Sequence, residues 1–216
     1  GRVGLHSSTA NDKACIELTL QGKPNSPEQL RQRFLHISSE LDVDVAFQVD
    51  SVYRRNRRLV CFDMDSTLIE AEVIDELAKA AGVGAQVAKI TEAAMQGEID
   101  FQQSFRQRMA LLKGLDESVL ADIAAQLPIT EGAERLMKTL KAYGFKTAIL
   151  SGGFTYFGHY LQKKLGIDFV FANHLDIQDG KLTGEVVGDI VDGAMKARLL
   201  KQLAEQEGIQ LEQTIA

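Results

Sequence analysis

Two cysteines, Cys15 and Cys61, and three prolines are all that the 216 residues hold of either type. Two thiols cannot make a disulfide framework, and neither sits at metal-ligand spacing, so a cytoplasmic protein is expected. Few prolines and no low-complexity tract argue against disorder. No apolar run approaches the length of a membrane span, and the N-terminus lacks the basic-then-apolar pattern of a secretory signal. Nor is there an excess of positive charge. A net charge of −6 speaks against a general nucleic-acid binder and predicts good solubility. The one basic cluster, Arg54-Arg55-Asn56-Arg57-Arg58, lacks interleaved aromatics and abuts an apolar strand, which suits a solvated, partly salt-bridged linker. His6, His36, His159 and His174 share no spacing that suggests a site. The chain opens with Gly1 rather than Met, in a Ser/Thr-rich piece, and is expected to begin inside a longer natural sequence.

What the sequence does have is Asp63-Met64-Asp65-Ser66-Thr67 at the end of the apolar run Leu59-Val60-Cys61-Phe62. An unbroken apolar run ending in two acids reads as a buried parallel strand that delivers carboxylates to the rim of a sheet, where α/β proteins place their ligands. Ahead of it, Ile16, Leu18 and Leu20 alternate with polar residues. Ser26-Pro27-Glu28-Gln29 opens a helix carrying Leu30, Phe34, Ile37 and Leu41, and Val43, Val45, Phe47 and Val49 alternate again. Residues 14–50 therefore read as strand, helix, strand, a piece too small to bury its own apolar faces. Its pattern resembles half of an ACT-type regulatory domain, which implies amino-acid sensing or dimerisation; a packing accessory is the alternative.

Behind the acids, helical periodicity runs from Glu72 to Leu127, broken at Gly82, Gly97 and Gly114, with N-cap character at Asp100. Four short helices between the first strand and the next suggest a cap over a site. Thr130 is a candidate cap for a helix ended by Gly144. A strand over Phe145–Leu150 then delivers Ser151-Gly152-Gly153. A helix to Leu165, a strand at Phe169–Phe171 and a hairpin at Asp179-Gly180 follow. Residues 194–207 read as a helix, and Thr214 begins one more strand.

A carboxylate can attack a phosphoryl group to give an aspartyl-phosphate, and an acid two residues away can protonate the leaving oxygen. In this reading Asp63 is the nucleophile and Asp65 the general acid/base. Mg²⁺ neutralises charge, held by the Asp63 carboxylate and the Asp65 backbone carbonyl. The alternative from spacing alone is that both acids cap the following helix. Ser151 and the freed backbone N–H groups of the Ser-Gly-Gly turn could cradle an anion, with Gly152 at its centre, and Lys196 could supply a fixed positive charge. Taken singly, the triplet is an ordinary turn and the lysine a surface residue.

In this order, Asp-x-Asp-x-Thr after one strand, Ser-Gly-Gly after a second and a downstream Lys resemble the haloacid-dehalogenase superfamily. Three further stretches resemble its phosphoserine phosphatase family: Glu72-Val73-Ile74-Asp75-Glu76-Leu77, Phe171-Ala172-Asn173 and Asp179-Gly180-Lys181-Leu182-Thr183-Gly184. The resemblance covers residues 59–216. It implies an α/β fold with a doubly wound, Rossmann-type parallel sheet and an inserted four-helix cap. The domain expectation is an ACT-like module over 1–53, a linker over 54–58, a core over 59–69 and 129–216, and a cap over 70–128. It further implies Mg²⁺-dependent hydrolysis of phosphoserine as the last step of serine biosynthesis. Glu72 would take the substrate ammonium and Arg108 its carboxylate, with Met95 and Phe101 shielding the site. Without the resemblance, Met95 and Phe101 read as cap core and Glu72 and Arg108 as a solvated face.

That family is expected to have a fourth motif, Gly-Asp followed by Asn-Asp, beyond the strand that starts at Thr214. The sequence ends before it, and Asp189 and Asp192 have the wrong context to replace it. The expectation is that the chain as it stands binds Mg²⁺ poorly and turns over little. Two other readings stay open: the same chemistry on another small phosphomonoester, or a non-catalytic amino-acid-binding protein. A homodimer through the N-terminal module is a further expectation.

Overall fold

A computed structural model describes residues 2–4, 15–22, 24–47 and 51–216, in two compact units, Gly1–Arg55 and Asn56–Ala216. In the first, β1 (Arg2–Gly4) pairs antiparallel with β2 (Cys15–Glu17). Helix α1 (Pro27–Leu41) starts where expected: Ser26 is its N-cap, and Ser26 Oγ accepts from the Gln29 N–H at 3.3 Å. None of its residues is buried, and Ile16, Leu18 and Leu20 are each at least 65% exposed. The strand expected from Val43 onward is not formed over 43–47, which is irregular; 48–50 lie outside the described residues. Alternation alone does not make a strand, whose N–H and C=O groups need a neighbouring strand, and no described strand pairs with this segment. The ACT-like pattern is therefore not reproduced among the described residues.

The second unit is built on a five-stranded sheet. Its strands are β3 (Leu59–Phe62), β4 (Lys146–Phe154), β5 (Phe169–Gln178), β6 (Lys181–Val187) and β7 (Thr214–Ile215), in the order β6-β5-β4-β3-β7. All neighbours are parallel except β6, which returns antiparallel along β5. The hairpin between them is the one expected at Asp179-Gly180. Both residues are left-handed (φ 49° and 74°), as a two-residue turn matched to strand twist requires. Strand β5 is longer than the three apolar residues that announced it, because β6 supplies hydrogen-bond partners beyond Phe171.

Helices α2 (Val73–Ala80), α3 (Gly84–Met95), α4 (Phe101–Ala110) and α5 (Ser118–Gln126) lie between β3 and β4. They are followed by α6 (Ala133–Ala142), α7 (Thr155–Leu165) and α8 (Gly193–Gln206). The cap of α6 is Gly132, at φ 86°, not Thr130, whose carbonyl instead accepts from Ala133 N–H. Both sheet faces are covered. Leu59, Cys61, Ala148 and Leu150 pack with Leu203 of α8, while Ile149 joins Met137, Phe157 and Leu161 of α6 and α7. That burial holds the Cys61 thiol protonated, its pKa pushed up to about 11. Within the basic cluster, Arg57 is half-buried and donates to the Glu212 and Thr214 carbonyls at 2.7 and 2.6 Å, fastening β7 beside β3.

Candidate active site

At the carboxyl ends of β3 and β4 the chain opens a cavity of about 240 Å³, lined by residues of β3, α2, α4, β4 and α8. Asp63 leaves β3 with its carboxylate tied on both sides. Oδ1 accepts from Met64 N–H at 2.8 Å, and Oδ2 meets Lys196 Nζ at 2.5 Å. Lys196 is aimed there because Asp192 caps α8: Asp192 Oδ1 accepts from Met195 N–H at 2.9 Å, and the lysine lies in the first turn beyond.

Asp65 faces a different environment. Its Oδ1 accepts from Val73 N–H at 3.0 Å, so it also serves the first turn of α2, and the helix-capping reading holds for this acid alongside any chemical role. Burial raises its pKa to about 7, with Glu72 and Asp63 adding repulsion; the Val73 bond and Lys196 act in the opposite direction. The turn carrying both acids is tight. Leu68 N–H and Ile69 N–H return to the Met64 carbonyl at 2.9 and 3.2 Å, and Ser66 takes φ 54°. Gly153 approaches closely from β4: a Cβ there would stand 2.6 Å from Asp65 Oδ2 and 2.4 Å from Met64 Cε, so only glycine fits.

The Ser-Gly-Gly segment is a bulge rather than a plain turn, since the β4–β5 register shifts between Leu150 and Phe154. Ser151 is fully buried, and its Oγ accepts from Gly153 N–H at 3.0 Å, which leaves the hydroxyl proton free to donate. Gly152 lines the cavity, and a Cβ there would stand 3.4 Å from the Phe101 ring. Phe101, Phe105 and Phe154 form an aromatic wall, with successive ring centroids 6.2 and 6.1 Å apart.

Glu72 and Arg108 line the same cavity. Glu72 Oε1 accepts from Ser66 Oγ at 2.7 Å. Arg108 is half-buried, which lowers its pKa against the opposing pull of Asp75 and Glu72, and its buried Nε has no hydrogen-bond partner. A half-buried guanidinium with an unused N–H is suited to donate to a ligand anion. Of the expected site residues, Asp63, Asp65, Glu72, Phe101, Arg108, Gly152 and Lys196 line the cavity, whereas Ser151, fully buried next to Gly152 in the chain, is not among the lining residues. Met95 does not: it ends α3 with 85% of its surface exposed, because α3 buries only Val87.

Two groups escaped the sequence reading. Asp192 bridges α8 to Gln102 of α4, Gln102 Nε2 donating to Asp192 Oδ2 at 2.9 Å. The Met195 and Gln102 bonds together lower the Asp192 pKa. The Asp192-Gly193-Ala194-Met195 string carried an N-cap signal, but its partner 90 residues away carried none. The second is the bonding of Asn173, which entered the sequence reading only within the Phe171-Ala172-Asn173 stretch of the family resemblance: it is a buried amide that ends the apolar run Phe169–Ala172 of β5.

The family model for haloacid dehalogenase-like hydrolases matches residues 57–216. The chain belongs to that family. Over 201 residues, 93% of this chain, it is 47% identical to a phosphoserine phosphatase of Archaeoglobus fulgidus, covering 58% of that protein. Over 158 residues it is 49% identical to a phosphoserine phosphatase of Idiomarina loihiensis, covering 73% of this chain and 72% of the relative. A solved structure described as a phospho-aspartyl intermediate analogue of phosphoserine phosphatase is 44% identical, with a TM-score of 0.68 over 74% of this chain and 76% of the other. The chain spans about half the length of several curated relatives it matches, 58% and 48% in two cases.

Haloacid dehalogenase-like phosphatases generally use a divalent metal. The carboxylates of Asp63 and Asp65 at the cavity are the oxygen donors that a hard divalent cation takes. Among the described residues no group of three or more His, Cys, Asp or Glu side chains could hold a metal. No helix among them is long and apolar enough to cross a membrane.

Proposed function

We propose that the site hydrolyses O-phosphoserine to serine and phosphate through an aspartyl-phosphate. The observation that carries this reading is the pairing, in one cavity, of the Asp63–Lys196 ion pair with Glu72 and the unused Arg108 donor. A phosphate monoester that also carries an ammonium and a carboxylate matches those charges group for group. The naming of the relatives supports the same substrate.

The Asp63 carboxylate attacks phosphorus. The P–O bond to serine breaks as Asp65, its pKa near 7, gives its proton to the departing oxygen. Asp65, now a carboxylate, takes a proton from water, whose oxygen attacks phosphorus and breaks the bond to Asp63. Phosphate leaves and both acids are restored. Lys196 offsets the negative charge that gathers on the phosphoryl group, and the Ser151 hydroxyl and the Ser-Gly-Gly backbone hold its oxygens. Mg²⁺ is the proposed metal, held by Asp63 and the Asp65 carbonyl; it would neutralise phosphate charge. Phe101, stacked on Phe105, covers the cavity from the α4 side and keeps water out.

Residues 70–128 are proposed as the cap, 59–69 and 129–216 as the core, 54–58 as the linker and 1–53 as a separate module. The exposed Ile16, Leu18, Leu20, Leu35 and Leu41 of that module support a homodimer. The free, buried Cys61 suits a cytoplasmic setting, and release of serine as the product would place the reaction at the end of serine biosynthesis.

Phosphate release from phosphoserine, phosphothreonine and a sugar phosphate tests the reading: phosphoserine should be preferred. Arg108→Ala should raise KM for phosphoserine by roughly 10- to 100-fold, the worth of a charged hydrogen bond. Unchanged phosphoserine kinetics in that variant would sink the amino-acid specificity.

A further inference from the structure

Asn173 touches both sides of the anion cradle from behind. Its side chain is 2% exposed. Nδ2 donates to the Gly152 carbonyl at 2.7 Å, and Oδ1 accepts from the Val191 N–H at 2.9 Å. These partners belong to different elements, the β4 bulge and the segment leading into α8, and both line the cavity.

Each bond fixes something the chemistry uses. The carbonyl and N–H of one planar peptide unit point in opposite directions. Drawing the Gly152 carbonyl toward Asn173 therefore turns the Gly153 N–H away, where it donates to Ser151 Oγ at 3.0 Å. That bond occupies a lone pair of the hydroxyl and leaves its proton for a ligand oxygen. On the other side, Val191 directly precedes Asp192, which caps α8 and so aims Lys196 at Asp63.

We propose that Asn173 is a positioning residue for phosphoryl transfer. By holding the Gly152 carbonyl and the Val191 N–H together, it sets the distance between the Ser151–Gly152 cradle and Lys196 without touching the ligand. An amide is required because one partner is an acceptor and the other a donor. An ionised carboxylate at this place would turn an oxygen against the Gly152 carbonyl, and an alkyl group would leave both backbone groups unpaired. The inference rests on the phosphatase reading above.

The test uses the full-length protein with Asn173→Asp, Asn173→Ser and a control, Thr147→Val. Thr147 is equally buried, and its N–H and Oγ1 bond to Asp168 Oδ2 at 2.9 and 3.1 Å at the opposite end of the same strands. Thermal unfolding gives the folded fraction of each variant, and kcat, KM and inhibition by inorganic phosphate are read per folded molecule. Both Asn173 variants should lose about 10- to 100-fold in kcat and bind inorganic phosphate at least about 10-fold more weakly, the scale of a misplacement near 1 Å. Thr147→Val should keep both within about twofold whatever its loss of stability, because it disturbs no group of the cradle. Asn173 variants that match wild type in kcat and phosphate inhibition, per folded molecule, would show a core amide and nothing more. A wild-type protein indifferent to both phosphoserine and phosphate would overturn the phosphatase reading itself, and this proposal with it.

Discussion

Replacing Asp65 with asparagine should stabilise the protein at pH 8 and progressively less so toward pH 4. Burial raises the Asp65 carboxyl from 3.8 to about 7. Between those values the folded chain keeps a proton that the unfolded chain releases, so stability is lost as pH rises through the window and is level above it. A rise of about 3 units at about 1.4 kcal/mol per unit is worth about 4 kcal/mol. The asparagine side chain of Asp65→Asn would have the same shape, could still accept from Val73 N–H, and would not ionise. Unfolding by urea in the presence of a chelator, at intervals of pH from 4 to 8, gives the difference between variant and wild type, in which the other titrations cancel. That difference should grow by about 4 kcal/mol from the acid to the alkaline end. A difference that stays flat, or that shrinks as pH rises, would refute the reasoning, because Asp65 would then be accommodated as an anion.

Lys196→Ala removes the cation 2.5 Å from Asp63 and should lower kcat by about 100- to 1,000-fold in a steady-state phosphate-release assay, with the fold retained by circular dichroism. Gly153→Ala drives a methyl into the space of Asp65 Oδ2 and Met64 Cε, and should cost about 1–3 kcal/mol in urea unfolding together with most of the activity. Gln102→Ala cuts the tie between α4 and Asp192; stability should change by no more than about 1 kcal/mol, while KM for phosphoserine rises because α4 is held less firmly over the cavity.

The sheet was legible in the sequence because its strands advertise burial on both faces: Leu59–Phe62 and Phe145–Leu150 are unbroken apolar runs but for Lys146 and Thr147 at the start of the second. The hairpin was legible because Asp179 and Gly180 tolerate left-handed backbone, and Thr214 was rightly placed in a strand, which pairs with Leu59. Asp100 was legible as a cap because an N-cap bond is local; its Oδ1 accepts from Gln103 N–H at 2.7 Å. What stayed hidden depends on distance in the chain. Val43–Phe47 alternates like a strand, yet no described strand lies beside it to form a ladder. Met95 sits at helical spacing in α3, but only packing decides which helix end reaches the cavity. The Gln102–Asp192 and Asn173–Val191 bonds join residues 90 and 18 apart, and neither leaves a periodic trace.

Asp63 and Asp65 are separated by one residue and carry the same functional group, so their proposed division of labour must come from surroundings. The two carboxylates leave the end of β3 toward different partners. One meets a lysine ammonium at 2.5 Å, the natural partner of a bare anion ready to attack. The other is pressed between Gly153 and the start of α2, where burial favours the proton. A nucleophile must be ionised and a general acid must not, and in the proposed mechanism these opposed requirements fall on two chemically identical side chains. The opposition is enforced from outside the motif: Asp192 and the first turn of α8 aim the lysine, while the missing side chain of Gly153 lets Asp65 sit deep enough to hold its proton. The effect of changing either support should therefore fall first on one acid, although loss of Lys196 also removes a cation that pulls against the raised Asp65 pKa. Lys196→Ala acts on attack, and Gly153→Ala on proton transfer.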